Sequence, residues 1–97
     1  MFEDCLYGTK HYTAGQAVGT SGKPVRVFTT YWKCQSTASA ISLHNGTSTS
    51  GDEYWQGSGS ALVGTTVDIG GMLFPDGCFL EFYTGVSLAT INFREEK

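Results

Sequence analysis

Between residues 24 and 93, apolar and polar positions alternate with a period of two, and helical spacing is nearly absent. Residues 25–33, a run of β-branched and aromatic side chains, predict the longest strand. Residues 38–44 alternate again, with Ala38, Ala40 and His44 on one parity and Ser39, Ile41 and Leu43 on the other. Asn45-Gly46 follows, the commonest two-residue turn dipeptide, and predicts that residues 47–49 run back beside residues 42–44. Residues 53–56 predict a shorter strand, and Gly57-Ser58-Gly59-Ser60 a flexible loop. Residues 61–69 alternate with Leu62, Val67 and Ile69 as inward anchors and Gly64 at a bulge, and Gly70-Gly71 ends the run. An apolar strand over residues 72–74 is cut by the turn signature Pro75-Asp76-Gly77. Residues 78–83 and 87–93, joined through Thr84-Gly85, predict the last two strands.

Short strands at frequent turns specify an all-β chain, a single small antiparallel β-sandwich or partly closed barrel of about seven or eight strands. Thirteen glycines against two prolines suit tight turns. Three regions follow: residues 1–23, an extended N-terminal arm or the first strands; residues 24–93, the sandwich; and residues 94–97, a solvated charged tail. Residues 2–7 read as a strand or as an arm that orders on a neighbour.

Composition narrows the partners. With 97 residues there is one domain, and 40% hydrophobic against 15% charged residues excludes a disordered chain. A net charge of −3 and a pI near 5.1 argue against nucleic acid, which calls for a basic stripe; Lys and Arg are scattered from Lys10 to Lys97. Apolar runs fall far short of the ~18 residues of a membrane span, and acidic Glu3 and Asp4 stand where a secretory leader would be basic. The expectation is a chain made in a cytoplasm, or for a particle assembled there. Cys5, Cys34 and Cys78 are odd in number and widely spaced, without a CxxC pair, so they read as reduced thiols that pack as small hydrophobes, the alternative being a single disulfide with one thiol left over.

Motifs for chemistry are weak. His11 and His44 have no partner at ligand spacing, no GxSxG elbow is present, and residues 57–60 lack the GK[ST] of a phosphate loop. Asn45-Gly46-Thr47 matches a glycosylation sequon, but the turn accounts for the same residues. Asp52 and Glu53 beside Ser48, Thr49 and Ser50 offer oxygen ligands of a kind ordinary in β loops. No enzyme activity, cofactor or metal is expected. The aromatics carry more: Tyr31-Trp32 and Tyr54-Trp55 are adjacent pairs, and neighbours on a strand face opposite ways, so one of each pair is placed for the core and the other for contact. With Phe2, Leu6, Tyr7 and Tyr12 of the N-terminal segment, Tyr31, Trp32, Tyr54 and Trp55 form the candidate partner-contact set.

Residues 22–28 (Gly-Lys-Pro-Val-Arg-Val-Phe), 41–47 (Ile-Ser-Leu-His-Asn-Gly-Thr) and 73–79 (Leu-Phe-Pro-Asp-Gly-Cys-Phe) resemble strands and turns of small Gly-, Ser- and Thr-rich β-sandwich virion proteins of tailed bacteriophages. The charged end over residues 94–97 is similar too, and the resemblance covers roughly residues 22–95. It implies a capsid decoration (cement) protein that binds the major capsid protein on the outer shell as a homo-oligomer, a trimer being favoured. Its location would be the virion surface after synthesis in the host cytoplasm. The other expectation is a carbohydrate- or host-receptor-binding module of a tail or fibre, in which Tyr31, Trp32, Tyr54 or Trp55 stack on sugars.

Overall fold

The computed structural model of the chain describes residues 7–35, 38–60 and 64–96. Phe2, Cys5, Leu6 and Leu62 lie outside them, as does the side chain of Tyr7. Among the described residues eight strands form: β1 (Tyr7–Tyr12), β2 (Gln16–Val18), β3 (Val25–Cys34), β4 (Ala38–Asn45), β5 (Asp52–Ser60), β6 (Gly64–Phe74), β7 (Cys78–Thr84) and β8 (Val86–Glu95). They make two four-stranded antiparallel sheets, ordered β1-β8-β3-β6 and β2-β7-β4-β5, packed face to face.

One rule governs the pairing: β1 lies beside β8, β2 beside β7, β3 beside β6 and β4 beside β5. The chain is thus a ribbon of antiparallel strand pairs. It is rolled so that alternate pairs meet in the same sheet, β8 against β3 and β7 against β4. This is the connectivity of a jelly roll, a double-sheet sandwich. Of the two readings of residues 1–23, residues 7–18 follow the second, because they add an edge strand to each sheet and bury Tyr12 and Val18 in the core.

Alternation builds that core. Val25 and Val27 point inward from β3; the register then slips at Phe28, and Thr30 and Trp32 continue the inward row. Ile41, Leu43, Leu80 and Ile91 meet them from the other strands. β4 is buried on both faces, so Ser42 and His44 are covered although they point away from the core. The hydroxyls of Thr30 and Ser42 have no hydrogen-bond partner among the described residues. Cys34 and Cys78 are buried, and burial pushes the Cys78 thiol far above its ordinary range.

Four local expectations are corrected. Gly57-Ser58-Gly59-Ser60 is not a loop but the second half of β5, because Trp32 needs the space that two inward glycines leave. Gly64 is not a bulge: pairing is regular there, and the absent side chain makes room for the Tyr31 ring. Gly70-Gly71 does not end a strand. Both take positive φ (76° and 87°) and form a bulge inside β6, with the Gly70 N–H capped by Asp68. The turn after Asn45 is not two residues long, since Asn45 pairs with Asp52 and residues 46–51 form the loop. The Asn45 amide instead grips the turn between β6 and β7: its Nδ2 donates to the Asp76 carboxylate (3.0 Å) and its Oδ1 accepts from the Asp76 N–H (2.9 Å).

The charged C-terminal run is not a free solvated tail either. β8 extends to Glu95, and the Glu96 N–H donates to Pro24 O at 2.8 Å. Arg26 and Arg94 stand directly opposite each other on β3 and β8, a repulsive cross-strand pair. Glu96 lies between them, 3.4 Å from Arg26 Nε and 2.6 Å from Arg94 Nε, and these guanidiniums, Arg94 first, hold its carboxyl below the usual range.

Candidate contact surface

The two long sides of the sandwich differ. One ends in β1 and β2, of six and three residues; β1 carries Lys10 and His11, and the Lys10 ammonium lies 6.0 Å from the Tyr12 ring. Short strands and lysines are the usual protection of a free sheet edge. The other side ends in β5 and β6, of nine and eleven residues. From residue 54 to residue 74 the chain has a single charged side chain, Asp68, and neither Lys nor Pro.

Trp32 organises this side from within. Its Nε1 donates to Ser39 Oγ (3.0 Å), and its ring meets the edge of Trp55 at 5.9 Å between centroids and 72° between planes. A Cβ on Gly57 would stand 2.5 Å from Trp55 and 2.6 Å from Trp32. One on Gly59 would stand 3.2 Å from Trp32 Nε1 and 3.1 Å from the Thr65 hydroxyl across the seam. The glycines thus let β5 close over the indole. Outside it, Trp55, Val67, Ile69 and Met72 are only half-buried, because each comes from an edge strand with sheet on one side alone. Tyr54 sits at a register slip of β5, 42% exposed, with its ring 5.4 Å from that of buried Phe74.

The expected contact residues therefore part company. Tyr12 and Trp32 are core residues, 1% and 0% exposed, and present no surface to a partner. Desolvation raises the Tyr12 phenol to about 12. Tyr31 is half-buried on the outward face of the other sheet strand β3, over Gly64. Tyr54 and Trp55 lie together on the β5–β6 side. Sequence reasoning placed Val67 and Ile69 as anchors but missed their half-exposed state, since only strand order shows that β6 is an edge. Leu73 and Tyr83, 37% and 63% exposed, were not singled out.

The polar candidates serve the fold. His44 is buried, with Nε2 2.8 Å from Glu81 Oε1 and Nδ1 3.0 Å from Gly51 O, which ties the β4–β5 loop to the sheet. His11 Nδ1 meets Thr90 Oγ1 at 2.7 Å. Among the described residues no three His, Cys, Asp or Glu side chains gather as metal ligands, and no helix is long and apolar enough to cross a membrane. Comparison with protein-family models and with curated protein sequences finds no match.

Proposed function

We propose that this chain is a non-enzymatic assembly protein of a virion, a capsid decoration protein that docks on the outer shell through its β5–β6 side. The observation that carries the reading is the character of that side: long edge strands, half-exposed Trp55, Val67, Ile69 and Met72, exposed Tyr54, and, beyond Asp52 and Glu53 at the start of β5, a single charge from residue 54 to residue 74. Protein interfaces are depleted of charge at their centres and enriched in Tyr, Trp and Met, and exposed apolar strips on small domains mark contacts. The choice of a capsid shell as partner comes from the resemblance of residues 22–95 to small phage virion proteins, and jelly rolls are a recurrent capsid architecture.

The test is the copy number of the chain in purified particles, by quantitative mass spectrometry against the major shell subunit. The expected result is a simple fraction of the shell subunits, lost on substitution Tyr54→Asp. Absence from particles overturns the reading. Exposure of Tyr54 beside Asp52 and Glu53 also favours a second reading, glycan recognition, in which one ring stacks on a sugar and the carboxylates accept from its hydroxyls. Protection of Tyr54 from modification by host polysaccharide supports it.

A further inference from the structure

We infer that Asn45-Gly46 is a spontaneous deamidation site that the fold holds shut, and that its conversion unfastens the turn between β6 and β7 from the end of β4.

The reaction needs two adjacent residues and water. The Gly46 nitrogen, once its proton passes to solvent, forms a bond to Asn45 Cγ. The Cγ–Nδ2 bond breaks, and Nδ2 takes up a proton and leaves as ammonia. Water then opens the five-membered imide at either carbonyl, leaving aspartate or isoaspartate at position 45. No electron changes hands. Glycine lets this ring close most readily, because no side chain crowds the attacking nitrogen. The chain's other asparagine, Asn92, is followed by bulky Phe93 and serves as an internal control.

The fold occupies each atom that the reaction uses. The Gly46 N–H donates to Gly77 O at 2.8 Å, so the nucleophile keeps its proton while that bond lasts. Nδ2, the leaving group, donates to the Asp76 carboxylate at 3.0 Å, and Oδ1 accepts from the Asp76 N–H at 2.9 Å. Ring closure must wait until these bonds part. All of them rest on the turn at residues 75–77, which is closely packed: a Cβ on Gly77 would stand 3.1 Å from Gly46 O and 3.0 Å from Gly22 N. Local opening of this corner therefore sets the rate.

The product turns the clasp into a repulsion. A carboxylate at position 45 puts an oxygen where Nδ2 stood, against the Asp76 oxygen, and it also faces Asp52, the cross-strand partner of residue 45. A donor is lost, and like charges directly opposite each other weaken a strand pair. Isoaspartate further lengthens the main chain by one carbon where β4 ends. Since ammonia is lost to solvent, the change is permanent, and position 45 records how often the corner has opened.

Peptide mass mapping of the full chain, held for weeks at mildly alkaline pH, tests this. In urea, position 45 is expected to convert well ahead of Asn92, and in the folded chain at least about tenfold more slowly than in urea. Asp76→Ala removes the acceptor of Nδ2 and is expected to speed conversion severalfold, with circular dichroism establishing that the fold is kept. Asn45→Asp, the product made directly, is expected to unfold at lower urea than Asn45→Ala, which loses the clasp without gaining the repulsion. A folded chain that converts as fast as the unfolded one, or an unfolded chain that does not convert, overturns the inference. So does a folded Asp76→Ala chain that converts no faster than wild type. An Asn45→Asp chain as stable as wild type overturns the unfastening.

Discussion

The indole of Trp32 occupies the place of the side chain that Gly57 lacks: a Cβ there would stand 2.6 Å from the ring, and 2.5 Å from that of Trp55. Two strands on different sheets are thereby matched, one supplying the largest core side chain and the other the absence of one. Gly57→Ala is expected to destabilise the protein by about 1–3 kcal/mol, the usual cost of overpacking, although alanine suits a strand better than glycine does by about 0.5–1 kcal/mol. Urea unfolding measures it. The added methyl is expected to cost little only once both Trp32 and Trp55 are replaced by Leu, so the triple variant, set beside the Trp32→Leu/Trp55→Leu background, is the informative comparison.

Asn45 and Asp76 exchange two hydrogen bonds between the ends of β4 and β6. Nearby, the Gly46 N–H donates to Gly77 O at 2.8 Å. Asn45→Ala removes the side-chain pair and leaves the main-chain bond, with an expected loss of about 0.5–1.5 kcal/mol in chemical denaturation. Amide exchange at Asp76 is expected to quicken more than exchange at Leu43, which sits mid-strand.

Alkali should unfold the protein in a defined window. Tyr12 is raised from 10.0 to about 12 by desolvation, and Cys78 is raised from 9.0 by the same cause. The unfolded chain ionises first, so stability is intact below pH 9 and falls as pH rises through 9 to 12. The Tyr12 share is on the order of 2–3 kcal/mol. Urea midpoints measured against pH are expected to fall less steeply in Tyr12→Phe, and the absorbance of tyrosinate should show one phenol that titrates late.

At the acid end Glu96 acts in the opposite sense. Its carboxyl lies below the ordinary value of 4.5 because of Arg94 and Arg26, so its contribution is present above that value and is lost as pH falls through the lowered one. Glu96→Gln is expected to lower stability at neutral pH, where Arg26 and Arg94 again face each other unscreened, and to flatten the acid limb of the stability profile. The slope of thermal midpoint against pH is the measurement.

The strands most legible in the sequence were the central ones. β3, β4, β7 and β8 pair on both sides, their apolar content survives the register slips at Phe28 and along β4, and turn residues bound them. The C-terminal half of β5 was hidden because its glycines and serines have loop composition, and only the position of Trp32 explains them. Gly70-Gly71 looked like a stop because glycines at positive φ serve turns as well as bulges, and the sequence does not say which. Strand parity alone separated Tyr54 from Trp55, the first exposed and the second packed against the core. Their companions Val67, Ile69 and Met72 were not legible, since half-exposure follows from strand order, which joins residues far apart in the chain.

That order also decides when the molecule can fold. β1, β2 and β3 find their partners only among β6, β7 and β8, and the one pairing between sequence neighbours is β4 with β5. A chain leaving the ribosome can close the central hairpin early but must hold its first three strands unpaired until the last have emerged. Folding that begins at residues 46–51 and zips outward to Tyr7 beside Arg94 meets steadily longer loops, so it is expected to be slow. Until it ends, Trp32 and Tyr12 remain open to solvent, and this is the interval in which aggregation competes with the native state.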